Sequence, residues 1–382
     1  MIQITDKAKC SGCTACMSIC PHEAIFMKAD ACGFKYPEVD LSKCTDCGLC
    51  EKVCVFHEDY SVSENFSEPL AFAVRHKDYE EIRTSRSGAM FIALSDFIFS
   101  QGGVVYGAGY EEGFRVAHKR VASKLACKEL KGSKYVQSDL TDVFAQVKED
   151  LQKHIPVLFS GTPCQTAGLR SFIGKRNREY LYLCDIVCHG TPSPLFWKDY
   201  LRYWEKKRNG KIVETNFRDK VKGWSSHIES YVFQDGKKIF TDEFTYLFYK
   251  HILFRPSCGN CQYTNFHRPS DITIADFWGW QKVDSRFNED NMGCSLVLVN
   301  TEKGKRLFEE VRSNLNVLRS DLASCLQPNL QDPSQLSPDY EQFWNEYDSD
   351  RIDFLMKKYG NAGLVFRMKR GLKRVIKKVI GR

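Results

Sequence analysis

The 382-residue chain contains no uninterrupted apolar run that reaches the roughly 18 residues a membrane span requires. It begins Met-Ile-Gln-Ile-Thr-Asp, without the charged-then-apolar pattern of a secretory leader. Both absences lead to the expectation of a cytoplasmic protein. No G-x-G-x-x-G opens a helix-like stretch; Gly102-Gly103 and Gly107-Ala108-Gly109 bracket a strand-like run instead, so a standard Rossmann nucleotide site is not expected. Neither a triphosphate-binding loop nor a nucleophile–base pairing is evident, which sets aside phosphoryl transfer and hydrolysis. No aromatic-laced basic motif is present either, so nucleic acid is not an expected partner.

Cysteine is abundant, with 17 in the chain. Cys10, Cys13, Cys16 and Cys20 are followed by Pro21, and the same spacing returns 34 residues later at Cys44, Cys47, Cys50 and Cys54, with Val55 in place of the proline. C-x2-C-x2-C-x3-C-P is the bacterial ferredoxin pattern, in which short loops deliver three soft thiolates to a 4Fe-4S cubane and the fourth crosses to the neighbouring cluster. The expected sets are therefore Cys10, Cys13, Cys16 and Cys54 for one cluster, and Cys44, Cys47, Cys50 and Cys20 for the other. Zinc is the alternative for paired C-x2-C motifs, but it gains nothing from the x2-x2-x3 run. A disulfide framework belongs to an oxidising compartment, which the start of this chain does not suggest.

The expected fold is α+β / α/β: an N-terminal ferredoxin-like domain (1–56), a polar linker (57–69) and a larger mixed α/β domain (70–315). A connector with C-terminal helices (316–364) and a tail (365–382) follow. In the large domain strand-like runs at Leu70–Arg75, Gly103–Tyr106, Ile155–Phe159 and Leu181–Val187 alternate with helix-like runs at Gly88–Phe99, Asp139–Gln152, Thr166–Ile173 and Leu195–Lys207, the pattern of βαβ units and a parallel sheet. Asp235-Gly236 reads as a hairpin turn, and Ser295–Val299 is a last apolar strand before a helix at Lys303–Arg312.

Cys164 follows the strand Ile155–Phe159, and Cys188 follows Leu181–Val187. Carboxyl ends of parallel strands form the ligand crevice of such sheets. If the strands are neighbours, both thiols face one site, and Cys258-x2-Cys261 could complete a third cluster; buried small hydrophobes are the other reading of these cysteines. His189 reads as an orienting neighbour rather than a ligand. Clusters carry one electron at a time and most organic substrates take two, so a flavin is the expected converter. Ser85, Arg86, Ser87 and Gly88 run into an amphipathic helix whose free N–H groups suit a phosphate, with an ordinary serine N-cap as the alternative. Lys134 and Ser138 lie in a second basic, hydroxyl-rich loop that could grip another anionic group. Asp276, Trp278 and Lys134 are candidates for lining the crevice, with packing or surface roles as the alternative; no catalytic acid can be assigned from spacing.

Ser87-Gly88, Gly102–Gly107, Gly132–Ser138, Ser160–Gln165, Cys188-His189-Gly190, Cys258-x2-Cys261 and Asp271–Gly279, in this order, resemble the coenzyme F420 hydrogenase/dehydrogenase beta subunit family, with the two-cluster ferredoxin domain fused in front. The resemblance covers roughly Leu70 to Arg312. It implies FAD, a third 4Fe-4S cluster on Cys164, Cys188, Cys258 and Cys261, and two-electron exchange with a deazaflavin or another conjugated acceptor. It also implies a place in surface polysaccharide biosynthesis. Two departures stand out: Ala89 where a second glycine is common, and Ala275 where a glycine often precedes the aspartate.

The expected function is thus an iron–sulfur flavoprotein oxidoreductase with a protein electron partner and a small-molecule two-electron substrate. The rival is a non-catalytic electron-carrier subunit, which needs clusters but no flavin. Arg367 to Arg382 holds eight basic residues and no acid, more than the whole net charge of +7. Val365, Phe366, Leu372, Ile376 and Val379 recur there at helical spacing, which suits a helix on an anionic membrane surface, peripheral on the inner face. A partner groove and a plain solvated helix are the alternatives.

Overall fold

The computed structural model describes residues 1–57, 60–62 and 65–363; the basic tail, and with it the expected membrane-surface helix, lies outside the described residues. Among the described residues no helix is long and apolar enough to cross a membrane.

The N-terminal domain is built on the internal repeat. Each cysteine run wraps into a short helix, Ala15–Ile19 and Leu49–Lys52, and between them lies an antiparallel pair, β1 (Ile25–Ala29) and β2 (Lys35–Val39), with Ile25 opposite Val39. The turns before the two helices use positive φ at equivalent positions: Gly12 (68°) and Thr14 (67°) in the first, Asp46 (52°) and Gly48 (74°) in the second. Left-handed backbone is what lets so short a loop fold its thiols inward, and it costs the non-glycine residues about 1–2 kcal/mol each.

The second domain is organised by an eight-stranded sheet. Its strands are β3 (Leu70–His76), β4 (Val104–Tyr110), β5 (Val116–Val121), β6 (Val157–Gly161) and β7 (Leu181–Ile186), joined after a separate small sheet by β11 (Ile272–Asp276), β12 (Ser295–Val299) and β13 (Leu315–Ser320). The spatial order is β13-β3-β12-β11-β7-β6-β4-β5. Pairing is parallel through β4, β6, β7 and β11 and antiparallel at β5 and from β12 outward. The sheet is therefore mixed, where a parallel one was expected. β5 returns from β4 through a five-residue turn, too short for a crossover. β13 also carries the sheet past residue 315, where the sequence suggested the domain to end.

Helices cover both faces. Helices Met90–Ser100 and Glu302–Val311 pack on one, against Val105, Leu158 and Cys184; helices Val143–Gln152 and Pro163–Ile173 pack on the other, against Val104, Tyr106, Val157, Phe159 and Leu183. Successive strand residues alternate between two buried faces, which is why these strands read as continuous apolar runs. Helix Met90–Ser100 starts at an Ala89 cap in the left-handed region (φ 65°), so the serine N-cap considered from the sequence is not used.

A third, aromatic core joins helix Pro194–Arg208 to the small antiparallel sheet of β8 (Ile212–Asn216), β9 (Glu229–Phe233) and β10 (Lys238–Thr241) and to helices Glu243–Tyr249 and Ile352–Lys358. The hairpin falls where Asp235-Gly236 suggested, with Gly236 at φ 78°.

The ferredoxin-like domain packs directly against the second domain. Ala15, Val53, Cys13 and Cys16 join the core under helices Val143–Gln152 and Pro163–Ile173. A Cβ on Gly168 would lie 2.7 Å from Cys13 Sγ, and one on Gly33 would lie 2.4 Å from Leu195 Cβ. Described parts of the expected linker are also held: Phe66 N donates to Asn300 O (2.7 Å).

Candidate redox site

Twelve of the 17 cysteines fall into three groups, and Cys32, Cys127, Cys184, Cys294 and Cys325 lie apart from them. In the first, burial pushes the Cys13 thiol up to about 12, and the nearby Cys10, Cys54 and Cys164 add to it; Cys16 is raised by burial and by Cys13, Cys10 and Cys54. Cys54 thus stands with the first cysteine run, across from its own. In the second, Cys44, Cys47, Cys50 and Cys20 together line a cavity of about 20 Å³. Backbone N–H groups point at sulfur here: Ile2 N at Cys50 Sγ (3.2 Å), Ala24 N at Cys20 Sγ (3.4 Å) and Asp46 N at Cys44 Sγ (3.4 Å).

The third group is made by tertiary structure alone. Cys164 sits in the first turn of helix Pro163–Ile173, whose Pro163 start and Thr162–Gln165 capping box fix where β6 ends. Cys188 lies just beyond the end of β7, beside β6, Cys258 lies in the turn Pro256–Asn260, and Cys261 caps that turn. All four line one cavity of about 40 Å³, with Ser11 and Arg255 in its wall. Thr191 N donates to Cys258 Sγ (3.3 Å). Burial raises all four thiols, Cys188 well above its ordinary value and Cys261 to about 12. Thiols so placed stay protonated unless a metal centre takes them. Among the described residues no three His, Cys, Asp or Glu converge as ligands of a single ion. Four thiols spread around one small cavity instead suit a cubane, which is wider than one ion. His189 keeps its ring against Phe248, Tyr249 and His251 rather than in the thiol group.

A much larger cavity, about 500 Å³, adjoins the third group; Cys188, His189, Gly190, Thr191 and Asn329 line both. It opens at the carboxyl ends of β6, β7 and β11 and is of a size typical for cofactor sites. Ser85, Arg86, Ser87, Lys134 and Ser138 all line it, as do Asp276 and Trp278. Gly88 does not. A Cβ there would lie 2.1 Å from Val74 O, so Gly88 serves close packing on β3, and its N–H goes to Ser295 Oγ (2.9 Å).

Two polar regions mark the cavity wall. In one, Arg86 Nη2 pairs with Asp276 Oδ2 (2.7 Å) while Arg218, whose side chain is 3% exposed, reaches Tyr135 Oη (2.9 Å) and stands 3.9 Å from the same carboxylate. Arg86 Nε, Arg218 Nη2, His227 Nδ1 and Ser85 Oγ find no hydrogen-bond partner among the described residues. Buried polar atoms are normally satisfied, so this wall suits a ligand bearing acceptors and negative charge. Trp278 stacks on Trp224 (4.6 Å between centroids), giving the same wall a flat aromatic element. In the other region, Ser138 Oγ bonds His118 Nδ1 (2.8 Å) and accepts from Gln165 Nε2 (3.0 Å), and His118 Nε2 reaches Ser160 O (2.9 Å). A carbonyl can only accept, so Nε2 carries the proton and Ser138 donates to Nδ1; burial lowers this histidine to about 4 and keeps it neutral. Lys134 Nζ donates to Lys131 O (2.8 Å) and Glu129 O (3.1 Å), and burial lowers it to about 7.

His118, Arg218 and His227 were not singled out from the sequence, since each comes alone from its own segment; Gln165 stood in the run Ser160–Gln165 but was given no role there.

Two family models match parts of this chain. Residues 156–322 match the family model that describes the C terminus of the coenzyme F420 hydrogenase/dehydrogenase beta subunit, and residues 9–57 match that of the 4Fe-4S dicluster domain. Comparison with the curated proteins finds no match. Among solved structures, one similar chain belongs to the F420-reducing NiFe hydrogenase complex from Methanosarcina barkeri, studied by xenon derivatization. It is 13% identical, with 76% of this chain and 91% of that chain covered and a TM-score of 0.45.

Proposed function

We propose that this chain, an iron–sulfur electron-transfer oxidoreductase related to the coenzyme F420 hydrogenase/dehydrogenase beta subunits, works as a flavoprotein with three 4Fe-4S clusters. The observation that carries this reading is the wall shared by the third cysteine group and the 500 Å³ cavity. Bound in these places, the clusters would supply single-electron transfer and an FAD the exchange with a two-electron organic substrate.

The chain's own residues divide the work. Cys10, Cys13, Cys16 and Cys54 would hold one cluster, Cys44, Cys47, Cys50 and Cys20 another, and Cys164, Cys188, Cys258 and Cys261 the third. Ser11 links the first and third groups, since it follows Cys10 and lines the cavity of Cys164. Ser85, Arg86 and Ser87 offer donors and positive charge for an anionic part of the flavin or its substrate, and Ser138 is held by His118 and Gln165 with its oxygen at the cavity wall. Neutral His118 adds no charge there. The resemblance directs the search for an acceptor to surface polysaccharide assembly. A cavity of this size beside the third group favours a flavoenzyme over a bare electron carrier, which needs no such space.

The test is iron, acid-labile sulfide and released flavin per chain, on protein purified without oxygen. About twelve irons with one FAD is the expected result, at four irons per cubane. About eight irons without flavin would remove Cys164, Cys188, Cys258 and Cys261 as ligands and return the electron-carrier reading.

A further inference from the structure

Arg255 is buried, at 1% exposure, and its hydrogen-bond partners among the described residues include no carboxylate. Burying a charge without a counter-charge is costly enough that proteins rarely tolerate it. The surroundings of this one are built for it nonetheless. Nε donates to Cys10 O (2.6 Å), Nη1 to Gln137 Oε1 (3.1 Å) and Nη2 to Lys35 O (3.0 Å), with Nη2 also 3.6 Å from Cys10 Sγ. The guanidinium lies over the ring of Tyr36 (4.1 Å) and near that of Phe34 (5.5 Å). Gly12 leaves room for it, since a Cβ there would lie 2.9 Å from Nη1. Gln137 completes the cradle by donating to Ser11 O (3.1 Å).

The same residue belongs to the other domain's cysteine group. Arg255 O accepts from Cys258 N (2.9 Å), and Arg255 lines the cavity of Cys164, Cys188, Cys258 and Cys261. A fixed positive charge therefore stands between two thiol-rich sites, each anionic once it holds a cubane. Those sites are the missing counter-charge.

We propose that Arg255 is the shared counter-cation of the cluster on Cys10, Cys13, Cys16 and Cys54 and of the cluster on Cys164, Cys188, Cys258 and Cys261, and raises the reduction potential of both. The proposal rests on the three-cluster reading above. Its physical basis is that reduction adds a negative charge to a cluster, which a nearby buried cation stabilises, and that charge and hydrogen bonds to sulfur set cluster potentials. Arg255 acts through the clusters and is a positioning residue rather than a catalytic one.

The experiment compares anaerobically purified wild type with Arg255→Gln, Arg255→Met and Arg255→Lys, by iron content and by potentiometric titration followed by electron paramagnetic resonance. Signals are assigned from single-cysteine variants of each group. With twelve irons retained, the two midpoints flanking Arg255 fall together in whichever neutral variant folds, the midpoint of the Cys20, Cys44, Cys47 and Cys50 site stays in place, and lysine restores most of the fall. Loss of iron from the two flanking groups in both neutral variants, restored by lysine, supports the same role. Twelve irons with both flanking midpoints unmoved overturns the proposal alone. A wild type with about eight irons overturns the three-cluster reading and the proposal with it.

Discussion

Lys134 illustrates how burial rather than residue type decides what a side chain offers. Its Nζ is enclosed by two loop carbonyls and the Tyr110 ring, and desolvation lowers its pKa from 10.5 to about 7. The unfolded chain holds this proton up to about 10.5, whereas the folded chain releases it near 7. Between those values the unfolded state binds more protons, so this group's contribution to stability rises with pH; below about 7 its penalty is present in full. We expect Lys134→Met to gain most over wild type below about pH 7 and to lose that advantage steadily towards pH 10, read as the difference in thermal unfolding midpoint across that range. A difference independent of pH would mean that the amine is not desolvated in solution. The loop's basic, hydroxyl-rich character was legible in the sequence; its turn towards the loop's own carbonyls was not, because it depends on the burial of Leu130 beneath the loop and on the Tyr110 ring.

At the scale of elements, the helix Pro163–Ile173 does two things at once. Its first turn presents Cys164, and its middle presents Gly168 to Cys13 of the other domain. A glycine inside a helix costs about 1 kcal/mol against alanine, so in isolation Gly168→Ala should stabilise. Here the added Cβ would meet Cys13 Sγ at 2.7 Å and Cys13 Cβ at 2.8 Å. Overpacking of this kind costs about 1–3 kcal/mol, which outweighs the propensity gain. We expect a net loss of up to about 2 kcal/mol in denaturant unfolding, with a changed signal from the cluster nearest Cys13; a more stable variant with unaltered spectra would show that the domains sit farther apart. Elements differed in how well they could be read. β6, β7 and β12, buried on both faces, stood out as apolar runs. β5 (Val-Ala-His-Lys-Arg-Val) and β13 (Leu-Asn-Val-Leu-Arg-Ser) did not, because they are the outermost strands and carry polar residues.

At the scale of the molecule, the cysteine groups lie in a sequence that runs from surface to cavity. Cys47 is exposed, the Cys10 group packs under the second domain, and the third group shares its wall with the large cavity. The Cys20, Cys44, Cys47 and Cys50 site is therefore the one an external protein reaches first. On the proposed three-cluster flavoprotein reading, we expect Cys47→Ala to lose about four irons, to keep the flavin, and to be reduced more slowly by a protein donor while a small dye that enters the cavity still reduces it at the wild-type rate. Equal slowing with both donors would break that order.

The sequence by itself determined the two cubane motifs, because the spacing of cysteines within one small repeat is local. It also determined that parallel strands carry Cys164 and Cys188 at their carboxyl ends, because strand period and turn residues are local too. Tertiary structure decided what no local rule contains. It brought Cys164, Cys188 and the Cys258–Cys261 turn to one cavity by placing β6 beside β7, set Arg86 and Arg218 near one carboxylate oxygen of Asp276, withdrew Gly88 from the cavity to pack on β3, and closed Arg255 between two domains. Each of these depends on burial and on contacts between residues far apart in the chain, which spacing along the sequence does not encode.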